Sequence, residues 1–187
     1  MDNLIQTYLA LKNKYRNYDT THSLKRMQAL RMAMQELSGK GFEVSLELLG
    51  SINFGIVDPS SDMDCILLLY CDLHAREGEC PKDCSNIHFT KEEIQRFLNS
   101  KLFPEHPKIE FLDIVNLRTV ENRLKDKDFF HDDLLFRLLF YRSIGRPVNR
   151  PLFVNYCDQL EENQDFVEKF IPWASEALMG YLSTNQH

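Results

Sequence analysis

Apolar positions along the chain recur with two different periods. Residues 42–48 alternate: Phe42, Val44, Leu46 and Leu48 point one way and Glu43, Ser45 and Glu47 the other. That period of two predicts a half-buried strand. Residues 63–70 are almost wholly apolar, as a central strand covered on both faces would be. Residues 108–115 read as a third strand, Lys108 to Val115. Elsewhere the period is helical. Leu4, Ile5, Tyr8, Leu9 and Leu11 form a stripe behind Asp2, a candidate cap. Leu24, Met27, Leu30, Met34 and Leu37 form a second stripe, ended by Gly39 and Gly41. Thr90 and Glu93 have the spacing of a capping box ahead of Ile94, Phe97, Leu98 and Leu102, and Pro104 and Pro107 bracket the loop that follows.

From Asn116 onward the pattern predicts helices only. Thr119 is a candidate cap for a short one through Lys125. Residues 131–143 are apolar on nearly every side, and an all-round apolar helix is buried. Leu135 and Leu138 are therefore expected in the core, with Asp132 and Asp133 at the helix start, Arg142 at its end and Gly145 and Pro147 after it. Phe153 to Leu160 reads as a further helix, and Phe166 to Phe170 as another that breaks at Pro172 before a last one from Trp173 to Leu182. The predicted class is α+β: a small sheet flanked by helices and followed by a helical lobe. The expected division is 1–116 and 117–187.

Composition narrows the function classes. A net charge of −6 disfavours a large basic surface, so long nucleic acid is not the expected partner. No apolar run is long enough to span a bilayer and no signal peptide is apparent. Five cysteines without a secretory signal point to a reducing compartment, the cytoplasm.

The candidate chemistry lies between the first two strands, in Gly50-Ser51-Ile-Asn-Phe-Gly55, six residues, then Asp62-Met63-Asp64. Two carboxylates two residues apart at a strand start project from one face. They repel unless a cation lies between them, and hard oxygen ligands suit Mg²⁺. A Gly-Ser turn brings backbone N–H groups and a small hydroxyl to an anion. Together they suit phosphoryl or nucleotidyl transfer. The structural alternative is a surface hairpin with a Ser/Asp turn.

The pattern Gly50-Ser51-x3-Gly55-x6-Asp62-x-Asp64, between its two strands, resembles the signature of the DNA polymerase beta-like nucleotidyltransferase superfamily, over residues 20–116. The resemblance implies one or two Mg²⁺ ions on Asp62 and Asp64, with Gly50 and Ser51 holding the β- and γ-phosphates of a nucleoside triphosphate, ATP being the expected one. It also implies a third carboxylate on a later strand. Glu110, between Ile109 and Phe111, fits that place. Asp113 is the alternative, and the two have opposite parity and so face opposite ways in a regular strand. A Glu where many relatives carry Asp reaches further by one methylene. The implied activity is transfer of a nucleoside monophosphate to a hydroxyl acceptor. The alternative is a binding or regulatory module on the same fold, catalytically vestigial and antitoxin-like, serving a protein partner. Many relatives carry Arg or Lys inside the Gly-Ser turn, where this chain has Ile-Asn-Phe. Arg142, Arg146 and Arg150 are candidate substitutes, or else a helix cap and turn arginines.

Residues 71–88 are set apart by Cys71, His74, Cys80, Cys84 and His88. Thiolates and imidazoles at short spacing are tetrahedral zinc ligands, so a structural Zn²⁺ on Cys71, His74, Cys80 and Cys84 is one reading. A Cys80–Cys84 redox pair and a plain reduced loop are the others. His22, His106 and His131 read as surface or capping groups.

Overall fold

The computed structural model describes residues 3–17, 19–73, 84–102, 108–149 and 152–184. In chain order these form α1 (Asn3–Arg16), α2 (Thr21–Gly39), β1 (Val44–Leu48), a 3-10 turn (Gly50–Phe54), β2 (Met63–Leu69), α3 (Ser85–Leu102), β3 (Ile109–Asn116), α4 (Leu117–Asp126), α5 (Leu134–Ile144), β4 (Arg146–Pro147), α6 (Val154–Glu161) and α7 (Gln164–Thr184). The fold is α+β. The sheet runs β3-β2-β1-β4, with β2 parallel to β3 and antiparallel to β1, and β1 antiparallel to β4.

The sheet separates two cores. Alternate residues of β2 serve both, as the period of two requires. Met63, Cys65, Leu67 and Leu69 pack with Val44, Leu46 and Leu48 of β1 against α2 and α3. Ile66 and Leu68 face a second core built by α4–α7, to which α1 adds Ile5 and Tyr8. The cores therefore divide by sheet face and not by position along the chain. Buried Lys12 pins α1 to the last turn of α5 by donating to the Ser143 carbonyl. Leu135 and Leu138 are buried as expected, each contributing about 1.5–3 kcal/mol by the usual burial scale.

Several expectations change. β1 is buried on both faces, not one. Ser45 and Glu47 lie beneath the segment after α5, where the Leu152 N–H donates to Ser45 Oγ. The chain after Asn116 is not purely helical, because Arg146–Pro147 pairs with Glu47–Leu48. Leu24 is exposed, and Arg26 takes its expected place on the inward face of α2. Leu11 is also exposed. α3 starts at Ser85, so Thr90 lies inside it and does not cap it. The cap of α4 is Asn116, whose Oδ1 accepts from the Arg118 N–H, and not Thr119. α5 begins at Leu134, with Asp132 Oδ1 accepting from its N–H. α7 runs unbroken through Pro172. Pro172 and Glu168 are both exposed, so the carbonyl that loses its partner faces water, while Phe166, Phe170, Ala174 and Leu178 hold the buried side.

The expected Asp2 cap, Pro104, Pro107, His106 and Arg150 lie outside the described residues. No helix among the described residues is long and apolar enough to cross a membrane.

Candidate active site

The Gly-Ser turn is held by β2, Thr20 and Arg146. Leu49 donates its N–H to the Asp64 carbonyl at 2.9 Å, continuing the β1–β2 ladder to the first residue of the turn. Gly50 then turns at φ +71°, and Gly55 closes the 3-10 turn at φ +67°. Both are left-handed conformations that glycine adopts without a Cβ penalty. The Thr20 N–H donates to the Gly55 carbonyl at 2.8 Å and its Oγ1 to the Val57 carbonyl at 2.9 Å, while the same hydroxyl caps α2. Arg146 forks onto Asp19 at 2.6 and 2.8 Å and reaches the Ile52 carbonyl at 3.0 Å. Arg146 thus fastens the turn and is not a free cation for phosphate. Arg142 lies within electrostatic reach of Cys157 on α6.

The segment leading to the acids is equally built. Asp58 Oδ1 accepts from the N–H groups of Ser60 and Ser61, an Asx-type turn that lowers the Asp58 carboxyl below its ordinary value through the Ser60 hydroxyl first. Arg26, fully buried on α2, donates to the Ser61 carbonyl at 2.7 Å and the Asp58 carbonyl at 3.1 Å. Burial lowers its pKa, against the opposing charges of Asp58 and Asp62.

Asp64 and Glu110 are register partners across the parallel β2–β3 pair. Asp64 shares the sheet face of Ile66, toward α5 and α7. A Cβ on Gly50 would come 3.6 Å from Asp64 Oδ2, so the turn backbone and this carboxylate are close neighbours. Burial raises the Asp64 pKa, and the charges of Asp62 and Glu110 raise it further. Asp62 and Glu110 are exposed and Asp64 half-buried.

β3 carries an irregularity that decides the role of Asp113. The register shifts between Cys65 and Ile66: Phe111 faces Cys65, Asp113 faces Ile66, and Leu112 is the extra residue. This bulge reverses the parity beyond it. Glu110 and Asp113 therefore lie on the same face, not opposite ones. Asp113 is nevertheless engaged elsewhere, its Oδ2 accepting from Arg137 Nη1 at 2.8 Å and Tyr141 OH at 2.7 Å. Glu110 is the acid that stands beside Asp64.

The residue that sequence patterning misses is Tyr181, near the end of α7. Its hydroxyl accepts the Gly50 N–H at 2.6 Å, across 131 positions of chain. Burial raises its pKa, partly opposed by the Gly50 bond.

Ser51 follows Gly50 in the 3-10 turn and is half-buried. Among the described residues, no set of three or more His, Cys, Asp and Glu side chains is grouped so that it could hold a metal ion. Asp62, Asp64 and Glu110 carry carboxylate oxygens, the donor type a hard cation takes, and the charges of the other two disfavour the ionised form of Asp64.

Of the zinc candidates, Cys71 and Cys84 come together, both buried, with Sγ atoms 4.0 Å apart. His74 and Cys80 lie outside the described residues, as does the side chain of His88. Asn116 grips the Cys71 backbone from both sides, through its N–H and its carbonyl. His22 is exposed, and exposed His131 stands 3.2 Å from Asp128.

A cavity of about 290 Å³ lies on the same sheet face; the three acids do not line it, but Ile66 and Asp113, which do, follow Asp64 and Glu110 in the strand register. A larger hollow of about 1010 Å³ opens at the other end of β1, near Phe42, Val44 and Val148, and none of the three acids lines it. The chemistry, not the volume, marks the site. No family model matches this chain, and neither a curated protein nor a solved structure matches it.

Proposed function

We propose that this protein is a nucleotidyltransferase: it binds a nucleoside triphosphate, with ATP the expected one, and transfers its nucleoside monophosphate to a hydroxyl acceptor. The carrying observation is the Asp64–Glu110 pairing beside Gly50, with the charge of Asp62 reaching Asp64. Asp62 and Asp64 would hold Mg²⁺, which when bound supplies charge neutralisation for the triphosphate and the leaving pyrophosphate. The Ser51 hydroxyl, and the Gly50 N–H once it leaves the Tyr181 hydroxyl, donate to phosphate oxygens. The acceptor oxygen forms a bond to the α-phosphorus and the bond to the β-phosphate oxygen breaks. Glu110, on the exposed edge strand, takes the hydroxyl proton or completes the metal site. These roles are positioning and electrostatics. The free cysteines among the described residues suit a reducing cytoplasm.

Titration with ATP, with and without Mg²⁺, tests this reading. Binding should require Mg²⁺, and Asp64→Asn should lower transfer by about 10³-fold, the scale of a lost electrostatic stabiliser.

A vestigial binding module is the second reading, favoured by the use of Arg146 on Asp19 and of the Gly50 N–H on Tyr181. It predicts no Mg²⁺-dependent nucleotide binding and no effect of Asp64→Asn. The expected structural zinc on Cys71, His74, Cys80 and Cys84 would draw on the Cys71 and Cys84 thiols, whose 4.0 Å separation is near the roughly 3.8 Å of two thiolates on tetrahedral zinc. Protein purified without chelator should then carry about one zinc per chain. Zinc-free protein leaves the two thiols as core residues.

A further inference from the structure

The cavity beside the acids has a composition of its own. Its floor is Leu49 and Ile66, buried on the sheet, and Phe140 of α5. Trp173 and Tyr181 of α7 form walls. Leu112, the bulged residue of β3, is 53% exposed and stands at the rim. The carboxylate there is already matched: Asp113 Oδ2 accepts from Arg137 and Tyr141, and Asp113 Oδ1 from the Ile114 N–H at 2.8 Å. An apolar, aromatic space with a paired charge at its side suits a neutral flat ring with one or two polar edge atoms. It does not suit a polycation.

Its position fits an acceptor. Asp113 and Ile66 are the register pair next to Glu110 and Asp64 on that face, about 7 Å further along at two residues of strand rise. Displacement at phosphorus is in line, so the attacking hydroxyl and the leaving pyrophosphate lie on opposite sides of the α-phosphorus. Gly50 and Ser51 place the pyrophosphate at the β1 end, which leaves the β3 side, where Glu110 and Leu112 stand, to the acceptor.

Resting on the nucleotidyltransferase reading, we propose that this cavity is the acceptor site, and that the acceptor is a small neutral alcohol with an aromatic or heteroaromatic ring. The ring occupies the cavity and the hydroxyl, on a short arm, points back to Glu110. A protein tyrosine is the wrong shape, because its hydroxyl lies at the far end of the ring from the polypeptide. A ring buried with its hydroxyl at the rim needs arm and hydroxyl on the same side, as in a nucleoside or an aryl alcohol.

Trp173 is the chain's single tryptophan, so occupancy reads directly as a change in its emission. The probes are adenosine, guanosine, cytidine, uridine and benzyl alcohol, each without Mg²⁺, with kanamycin as the polycationic control. At least one ring alcohol should shift Trp173 emission saturably, and kanamycin should not. Ala177→Phe, which fills the cavity, should weaken that binding by about 10-fold or more, the size of a misfit in an apolar pocket. Leu112→Phe at the exposed rim should weaken it even if Ala177→Phe does not fold. With Mg²⁺ and ATP added, mass spectrometry should find the nucleoside monophosphate on the bound alcohol's hydroxyl.

Emission unmoved by every probe, or binding indifferent to both variants, overturns the proposal while leaving Mg²⁺-dependent ATP binding intact. Competition between ATP and the ring alcohols for the cavity assigns it to the nucleotide's own base and also overturns the acceptor assignment. Loss of ATP binding alone, with ring alcohols still bound, refutes the enzyme reading instead.

Discussion

Gly55→Ala is expected to be among the most damaging single-methyl additions in this protein. A Cβ at Gly55 would lie 2.3 Å from Asp19 Oδ1 and 2.9 Å from the Asp19 Cα. The left-handed φ of +67° adds about 1–2 kcal/mol for an L side chain. The carboxylate cannot simply swing away, because Arg146 holds both of its oxygens and the Ser23 hydroxyl donates to one at 3.1 Å. The backbone cannot simply retreat either, because the Thr20 N–H is bonded to the Gly55 carbonyl. Breaking a largely buried ion pair costs about 3–5 kcal/mol, and partial relaxation recovers some of it. The total should be about 2–5 kcal/mol, or a melting temperature lower by roughly 5–20 °C at this size. Urea unfolding with circular dichroism measures it. Gly39→Ala and Gly180→Ala are the controls: nothing lies within 4 Å of either new Cβ, so both should stay within about 1 kcal/mol of wild type. In an Arg146→Met background the Gly55→Ala penalty should shrink, because the carboxylate is then free to move. A Gly55→Ala protein within about 0.5 kcal/mol of wild type, the range of an ordinary surface change, would refute this account of the turn.

Asp64→Asn should raise the melting temperature near pH 7 but not near pH 3. Burial and the Asp62 and Glu110 charges raise the folded-state pKa, so this group's stabilising contribution is complete below the ordinary aspartate value and is lost as pH rises through the raised one. Millimolar Mg²⁺ alone should likewise stabilise wild type near neutral pH and leave Asp64→Asn unchanged, as differential scanning fluorimetry would record. Tyr181→Phe removes the hydroxyl that now accepts the Gly50 N–H, so Mg²⁺-ATP should bind more tightly by isothermal titration calorimetry. Weaker binding would mean that the phenol serves the phosphates. Leu138→Ala, at a fully buried position, should cost about 2–5 kcal/mol in denaturant unfolding.

The periodic part of this fold was legible. The three long strands and the inward placement of Leu135 and Leu138 follow from spacing alone. Local polar chemistry was less so. Asn116 competes with Thr119 as a cap, and only the local backbone decides between them. The bulge at Leu112 leaves no mark in residue type, yet it reverses the face of Asp113. Arg26 did carry a signal: it lies at helical spacing from Ser23, Leu30 and Ala33, all buried. An arginine on an apolar stripe needs backbone carbonyls to receive it, and the Asp58–Ser61 turn supplies them. Tyr181 and the Asp19–Arg146 fork were not legible. Their partners are more than a hundred positions apart, and a tyrosine in an amphipathic helix looks like any core aromatic. The three acids and the Gly-Ser turn could be read as a group because one strand, one turn and one parallel neighbour bring them together.

The partition of the cores by sheet face has a consequence for vectorial synthesis. α1 leaves the ribosome early, but its packing partners include α7, which begins at Gln164. At about 5–20 residues per second, the first helix waits roughly 7–30 s for that partner. The α2–α3 core and the β1–β2 hairpin can form within that interval. The opposite face of β2, with Ile66 and Leu68, cannot be covered until the later helices arrive. During that time Ile5 and Tyr8 and one side of the sheet are open to chaperones and to other nascent chains. The stage at which this chain is most prone to aggregate is therefore a half-made one, with its first core largely formed, lacking Val148, and its second still uncovered.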